Sequence, residues 1–189
     1  MKKASLLALL VLLAPALAQA GAGALGPGAM PQDVAITASA NNKLYAVAPP
    51  GLSAATASTD NPMILLVNLS TNTVTARLVG RTFGCDVTNI QVTYRLFIDP
   101  VVVSSGTPIT PVKMYQTGIP DSKMQIFTLP TVSSSGSSIE SLSNGQNSGA
   151  IHIEDGQLVS VSPGHRLLIT ANPSSNNRAQ LISLKWLEE

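Results

Sequence analysis

Ionisable and reactive side chains are scarce in this chain. Of its 189 residues 11% are charged and 4% aromatic, with one cysteine and two histidines. The lone Cys85 excludes an intrachain disulfide, and a chain of this length can build a core without one. Cys85 itself reads as a small buried apolar residue rather than a reactive thiol. Eleven basic residues stand against ten acidic ones, with no basic stripe, so nucleic acid is not an expected partner. Long helices usually carry Glu and Lys on their wet faces. Here Ser, Thr and Asn are plentiful instead, which suits extended chain.

The side chains that carry chemistry do not assemble into a motif. His152 and His165 fall on different expected strands, and His152 with Glu154 offers two groups on one strand face where a metal normally needs three or four. Ser160 and Ser162 lie near His165 but lack a nucleophile elbow. Glu154 and Asp155 are adjacent and point apart on a strand, a poor acid–base pair. "GAGALGPG" has no strand before it and no helix after it, so it is not a nucleotide fingerprint. Asn68-Leu69-Ser70 matches a glycosylation acceptor inside a strand that reads as buried. Tyr45, Tyr94, Tyr115 and Trp186 are too scattered for a sugar-stacking platform. The expectation is a chain with no enzymatic activity, no metal and no cofactor.

What is present begins with a targeting pattern. Lys2 and Lys3, the apolar run "SLLALLVLLAPALA" and Ala18-Gln19-Ala20 read as a signal peptide over residues 1–20, cleaved before Gly21. Left uncleaved, residues 4–30 are apolar over a length that reaches across a bilayer, so the same stretch also reads as an anchor. Residues 21–60 read as a flexible Gly/Ala/Pro/Ser-rich arm with one short strand candidate, Lys43–Ala48. An exported, extracellular or virion-surface address follows.

From residue 61 to 189 the chain reads as strands. "MILLVNLS" is an apolar run entered through Asn61-Pro62, and "TVTARLVGRTF" alternates as a half-buried strand does. In "NIQVTYRLFIDP", Ile90, Val92, Tyr94, Leu96 and Ile98 share one face against Gln91, Thr93, Arg95 and Phe97. "SSSGSSIESLSNGQNSG" reads as loop. "IHIEDGQLVSV" reads as a hairpin turning at Asp155-Gly156, and "RAQLISLKWLEE" as a closing strand with Leu181, Ser183 and Lys185 on one face and Ile182, Leu184 and Trp186 on the other. About eight antiparallel strands at regular turn spacing predict an all-β, single jelly-roll-like β-sandwich.

One phrase is written twice. "DPVVVSSGTPIT" at 99–110 returns thirty residues later as "LPTVSSSGSSIE" at 129–140, with Pro100/Pro130, Val102/Val132, Gly106/Gly136 and Ile109/Ile139 in step. Each copy reads as a tight turn at the rim, with Gly supplying positive φ. Paired, the turns Ser104-Ser105-Gly106 and Ser134-Ser135-Gly136 would form one contiguous edge of low charge that meets a neighbouring subunit.

The order "NPMILLVNLS…VTYRLFIDPVVVSSGTPITPVKMYQTG…MQIFTLPTVSSSGSSIE…VSPGHRLLITANPSS…ISLKWLEE" resembles the head decoration or cement proteins of tailed phages, over roughly residues 61–189. That resemblance implies a jelly-roll structural protein, often trimeric, which sits on a capsid lattice and ties capsid subunits together. The signal-like start departs from the family pattern. A secreted or cell-surface adhesion or fibre module is the alternative the residues leave open.

Overall fold

Two apolar runs dictate the centre of the molecule. In "MILLV" both alternating faces are apolar, as in a strand covered on both sides, whereas "LISLKWL" buries every second residue. A computed structural model describes residues 43–87, 89–114, 121–145, 150–154 and 159–189. The signal or anchor reading of 1–30, the arm up to residue 42 and the Asp155-Gly156 turn lie outside the described residues.

Along the chain the described strands begin with β1 (Leu44–Val47), β2 (Leu52–Ala54), β3 (Asn61–Val67), β4 (Ala76–Cys85) and β5 (Val92–Ile98). There follow β6 (Val101–Ser104), β7 (Thr107–Ile109), β8 (Val112–Lys113), β9 (Gln125–Thr128) and β10 (Thr131–Ser134). The last are β11 (Ser137–Asn144), β12 (Ile151–Glu154), β13 (Ser160–Val161), β14 (Arg166–Pro173) and β15 (Arg178–Glu188). They form a seven-stranded sheet in the order β12-β4-β15-β1-β8, with β13 on β4 and β2 on β15. A six-stranded sheet runs β11-β5-β14-β3-β9-β7, and β6 and β10 make a two-stranded sheet of their own.

This overturns the single jelly-roll-like sandwich of about eight strands. The domain is all-β, but its fifteen described strands lie in three sheets. Periodicity sees only strands long enough to repeat, and nine of these have two to four residues. The polar stretch expected as loop holds β11, which pairs along β5 from Ser137↔Ile98 to Asn144↔Val92. Serine needs no apolar pattern to join a sheet edge, because the backbone supplies the bonds. "IHIEDGQLVSV" is not a hairpin: β12 and β13 both run antiparallel to β4, one beyond the other along it. Residues 44–54, assigned on sequence to the arm, are strands β1 and β2 on β15.

The two larger sheets share one core. Tyr45, Leu78, Phe83, Ile182, Leu184 and Trp186 of one meet Ile64, Leu66, Tyr94, Leu96, Leu167 and Ile169 of the other. The Phe83 and Tyr94 rings stack across the interface at 4.9 Å between centroids. The Tyr94 hydroxyl lies 2.7 Å from both the Gly84 carbonyl oxygen and Gln180 Oε1, and burial pushes its pKa well above the ordinary phenol value. Alternation along β4 switches at a bulge: Trp186 pairs with Leu78 but Lys185 with Gly80, leaving Val79 extra. That one residue turns Arg81 and Phe83 inward after Ala76 and Leu78. Arg81, fully buried, reaches Glu140 of β11 with two contacts of 3.3 Å, an ion pair between the sheets.

Candidate interaction surface

The doubled phrase has a structural counterpart. β6 and β10 pair antiparallel with Val102 opposite Val132, Thr131 opposite Ser104 and Ser134 opposite Val101. Thirty residues separate equivalent positions, so the last two pairs are one pair seen from either strand. The arrangement has an approximate two-fold axis at Val102–Val132.

The same axis governs the six-stranded sheet. Thr107↔Thr128 and Pro108↔Phe127 on one side repeat as Ser137↔Ile98 and Ser138↔Phe97 on the other. At the centre Leu65 pairs with Leu168, and Leu65↔Phe127 mirrors Leu168↔Phe97. Even the bridging bonds repeat: Asp99 N–H donates to the Arg166 carbonyl and Leu129 N–H to the Met63 carbonyl, both at 2.9 Å. Asp99 and Leu129 share a left-handed backbone, φ 55° and 51°. Gly106 and Gly136 follow at φ 86° and 88°, and a Cβ on either would overlap a carbonyl oxygen, of Thr128 or of Ile98. Each copy's glycine is therefore required by the other copy's backbone.

The β6–β10 ribbon lies against the face of the six-stranded sheet that points away from the shared core. Leu65, Phe97 and Leu168 are buried there, on the opposite side of their strands from Leu66, Leu96 and Ile169. Val102 and Val132 are half-buried, while Val101, Val103, Thr131 and Ser133 are exposed. Ser104 and Ser134 are exposed and Ser105 and Ser135 half-buried, the same pattern in both copies. The antiparallel pairing corrects one expectation. The strands lie side by side, so the turns Ser104–Gly106 and Ser134–Gly136 stand at opposite ends of the ribbon rather than on one contiguous edge.

The copies differ where their surroundings do. Ile109 packs against the core, but a register shift between Ser138 and Glu140 turns its equivalent Ile139 out to 47% exposure. Val101, Val103 and Leu129 are also exposed, at 56%, 68% and 48%. Residues 100–112 and 129–139 contain no ionisable side chain. At the Asp99 end the carboxylate lies 2.8 Å from His165 Nδ1 and 3.1 Å from the Arg166 N–H. A carboxylate only accepts, so the imidazole Nδ1–H donates, and these bonds, the histidine's first, hold the Asp99 carboxyl below its ordinary range.

Described residues of this sheet line at least two cavities. One of about 260 Å³ lies beside β6, lined by Leu65, Val67, Leu69, Val102, Val103 and Phe127, with Ser105, Gln125 and Arg166 as its polar members. Another of about 270 Å³ is lined by Ser58, Gln91, Thr93, Asn172, Pro173 and Ser174. His152 Nδ1 lies 2.8 Å from Thr82 Oγ1, and among the described residues no group of three His, Cys, Asp or Glu is placed to hold a metal. Cys85 is half-buried rather than buried, and burial raises its thiol pKa. Asn68, the candidate glycosylation acceptor, is buried and donates to the Val74 and Val161 carbonyls at 2.8 and 2.9 Å. Its amide is thereby spent inside the fold. No protein-family model matches the chain, and neither does any curated protein.

Proposed function

We propose that this chain is a non-enzymatic structural protein that self-associates and packs on a larger protein lattice through the outward face of the β6–β10 ribbon. The carrying observation is the set of apolar side chains Val101, Val103, Leu129 and Ile139 on and beside the ribbon. All four are exposed, on two segments without a single charge. Burying such a face removes apolar surface from water and desolvates no ion, whereas burying a charge costs far more than burying a paired hydroxyl. The resemblance to phage head decoration proteins supplies the setting, an exported or virion-surface lattice on which this chain is a cement. The fold implied by that resemblance does not hold, so the proposal rests on the surface.

Val101→Glu with Thr131→Glu places one carboxylate on each strand at equivalent exposed positions. Sedimentation at matched concentrations should show the wild type as an oligomer and the double variant shifted toward monomer, with an unchanged melting temperature. A wild type that sediments as a monomer at every concentration and binds no lattice would overturn the reading.

A further inference from the structure

The two-fold axis supplies an internal control. It relates the cavity beside β6 to a place beside β10, and the two have been built differently on one backbone plan. Beside β10, the positions equivalent to Gln125 and Leu69 are Arg95 and Asn172. Arg95 Nη1 lies 2.7 Å from both carboxylate oxygens of Asp60, and Asn172 donates to the same group at 3.2 Å. Ser133 and Thr170 stand where Val103 and Val67 stand on the first side. That side carries more polar side chains and an ion pair of its own.

Beside β6 six apolar side chains share the walls with Ser105 and Gln125, and the one charge is Arg166. Its side chain is exposed, and no carboxylate among the described residues is within ion-pair distance of its guanidinium. Asp99, the nearest acid in sequence terms, is hydrogen-bonded to the His165 ring and the Arg166 backbone N–H and feels the Arg166 charge only at longer range. The cavity takes residues from β6 and none from β10, so it lies along the edge of β6 that its partner strand does not cover. An uncovered strand edge offers backbone donors and acceptors in strand register, and strand addition uses them together with pockets for alternate side chains.

We infer that this groove takes an extended polypeptide strand from a partner chain, added to the edge of β6 that no other described strand covers. Its alternate apolar side chains seat against Leu65, Val67 and Phe127, and a carboxylate pairs with Arg166. The inference names the partner's chemistry for the assembly reading but does not depend on it. The outward face of the ribbon can fail in sedimentation while the groove still takes a strand.

The test uses the full chain and two blocked decapeptides with valine at alternate positions and serine or threonine between. One carries a single glutamate at its N-terminal end and the other at its C-terminal end. Saturable binding of one of them should slow amide exchange at Val101–Ser104 and leave Thr131–Ser134 unchanged. Arg166→Gln should weaken binding about tenfold, and glutamine in place of the probe's glutamate should do the same, as expected for one charge-assisted contact. Combining the two changes should weaken it no further. Arg95→Gln, the equivalent change on the other side, should leave binding intact. Failure of both probes to bind, equal loss from Arg95→Gln, or binding without protection of β6 would each overturn the inference.

Discussion

Asp99 and Leu129 occupy the same place in the two copies, with the same left-handed backbone and the same N–H bond to a neighbouring strand. Only the side chains differ. Aspartate tolerates this conformation better than leucine does, and here it also binds His165 and Arg166. Because the Asp99 carboxyl is held below its ordinary pKa, the folded chain binds fewer protons there than the unfolded chain does in acid. The stabilisation is therefore complete above the ordinary carboxylate value and lost as pH falls through it to the folded value. Asp99→Asn should lower the denaturation midpoint near neutrality, and the gap to wild type should close as pH drops through the acid range. A gap constant over that range would show that the carboxylate charge is not what matters. At this scale the sequence was partly legible. The glycines announced positive φ, but nothing in a leucine announces it, and Arg166 gave no sign that it would border a groove.

Among the elements, β3, β5 and β15 were legible because their apolar positions repeat over seven residues or more. Val92, Tyr94 and Leu96 are fully buried as expected, with Ile90 and Ile98 half-buried at the ends. β11 was not legible, since its pairing with β5 is a backbone matter and its sequence is mostly serine. Nor was the bulge at Val79, which hid the inward turn of Arg81 from any alternation argument. The echo was visible as a repeat but not as a two-fold axis, because its symmetry mates in β3 and β14, "MILLV" and "RLLIT", share only an apolar character. The axis makes a prediction about turns. Gly106→Ala and Gly136→Ala each force a Cβ against the other copy's carbonyl at positive φ. Each should destabilise by more than ~1 kcal/mol, and by similar amounts, in denaturant melts. A loss at only one site would mean that the axis describes the pairing but not the strain.

For the whole molecule, β5, like β3 and β14, faces both packed layers. Leu96 points into the core between the large sheets, and Phe97, the next residue, is buried on the side where the ribbon lies. If the three sheets melt as one unit, damage to either layer should lower the same single transition. Leu96→Ala should cost ~2–5 kcal/mol and Phe97→Ala ~3–5 kcal/mol, the ranges for truncations in packed interiors. The two should separate in what else they disturb. Phe97→Ala leaves a hole beneath the ribbon and should shift the amide resonances of Val101–Ser104 and Thr131–Ser134, whereas Leu96→Ala should leave them in place. It should also weaken self-association, since the outward face of a ribbon is only as ordered as the layer beneath it. A Phe97→Ala variant that melts in two steps, with the ribbon lost first, would instead make β6 and β10 a separable layer. Assembly would then have to order that layer as well as bury it.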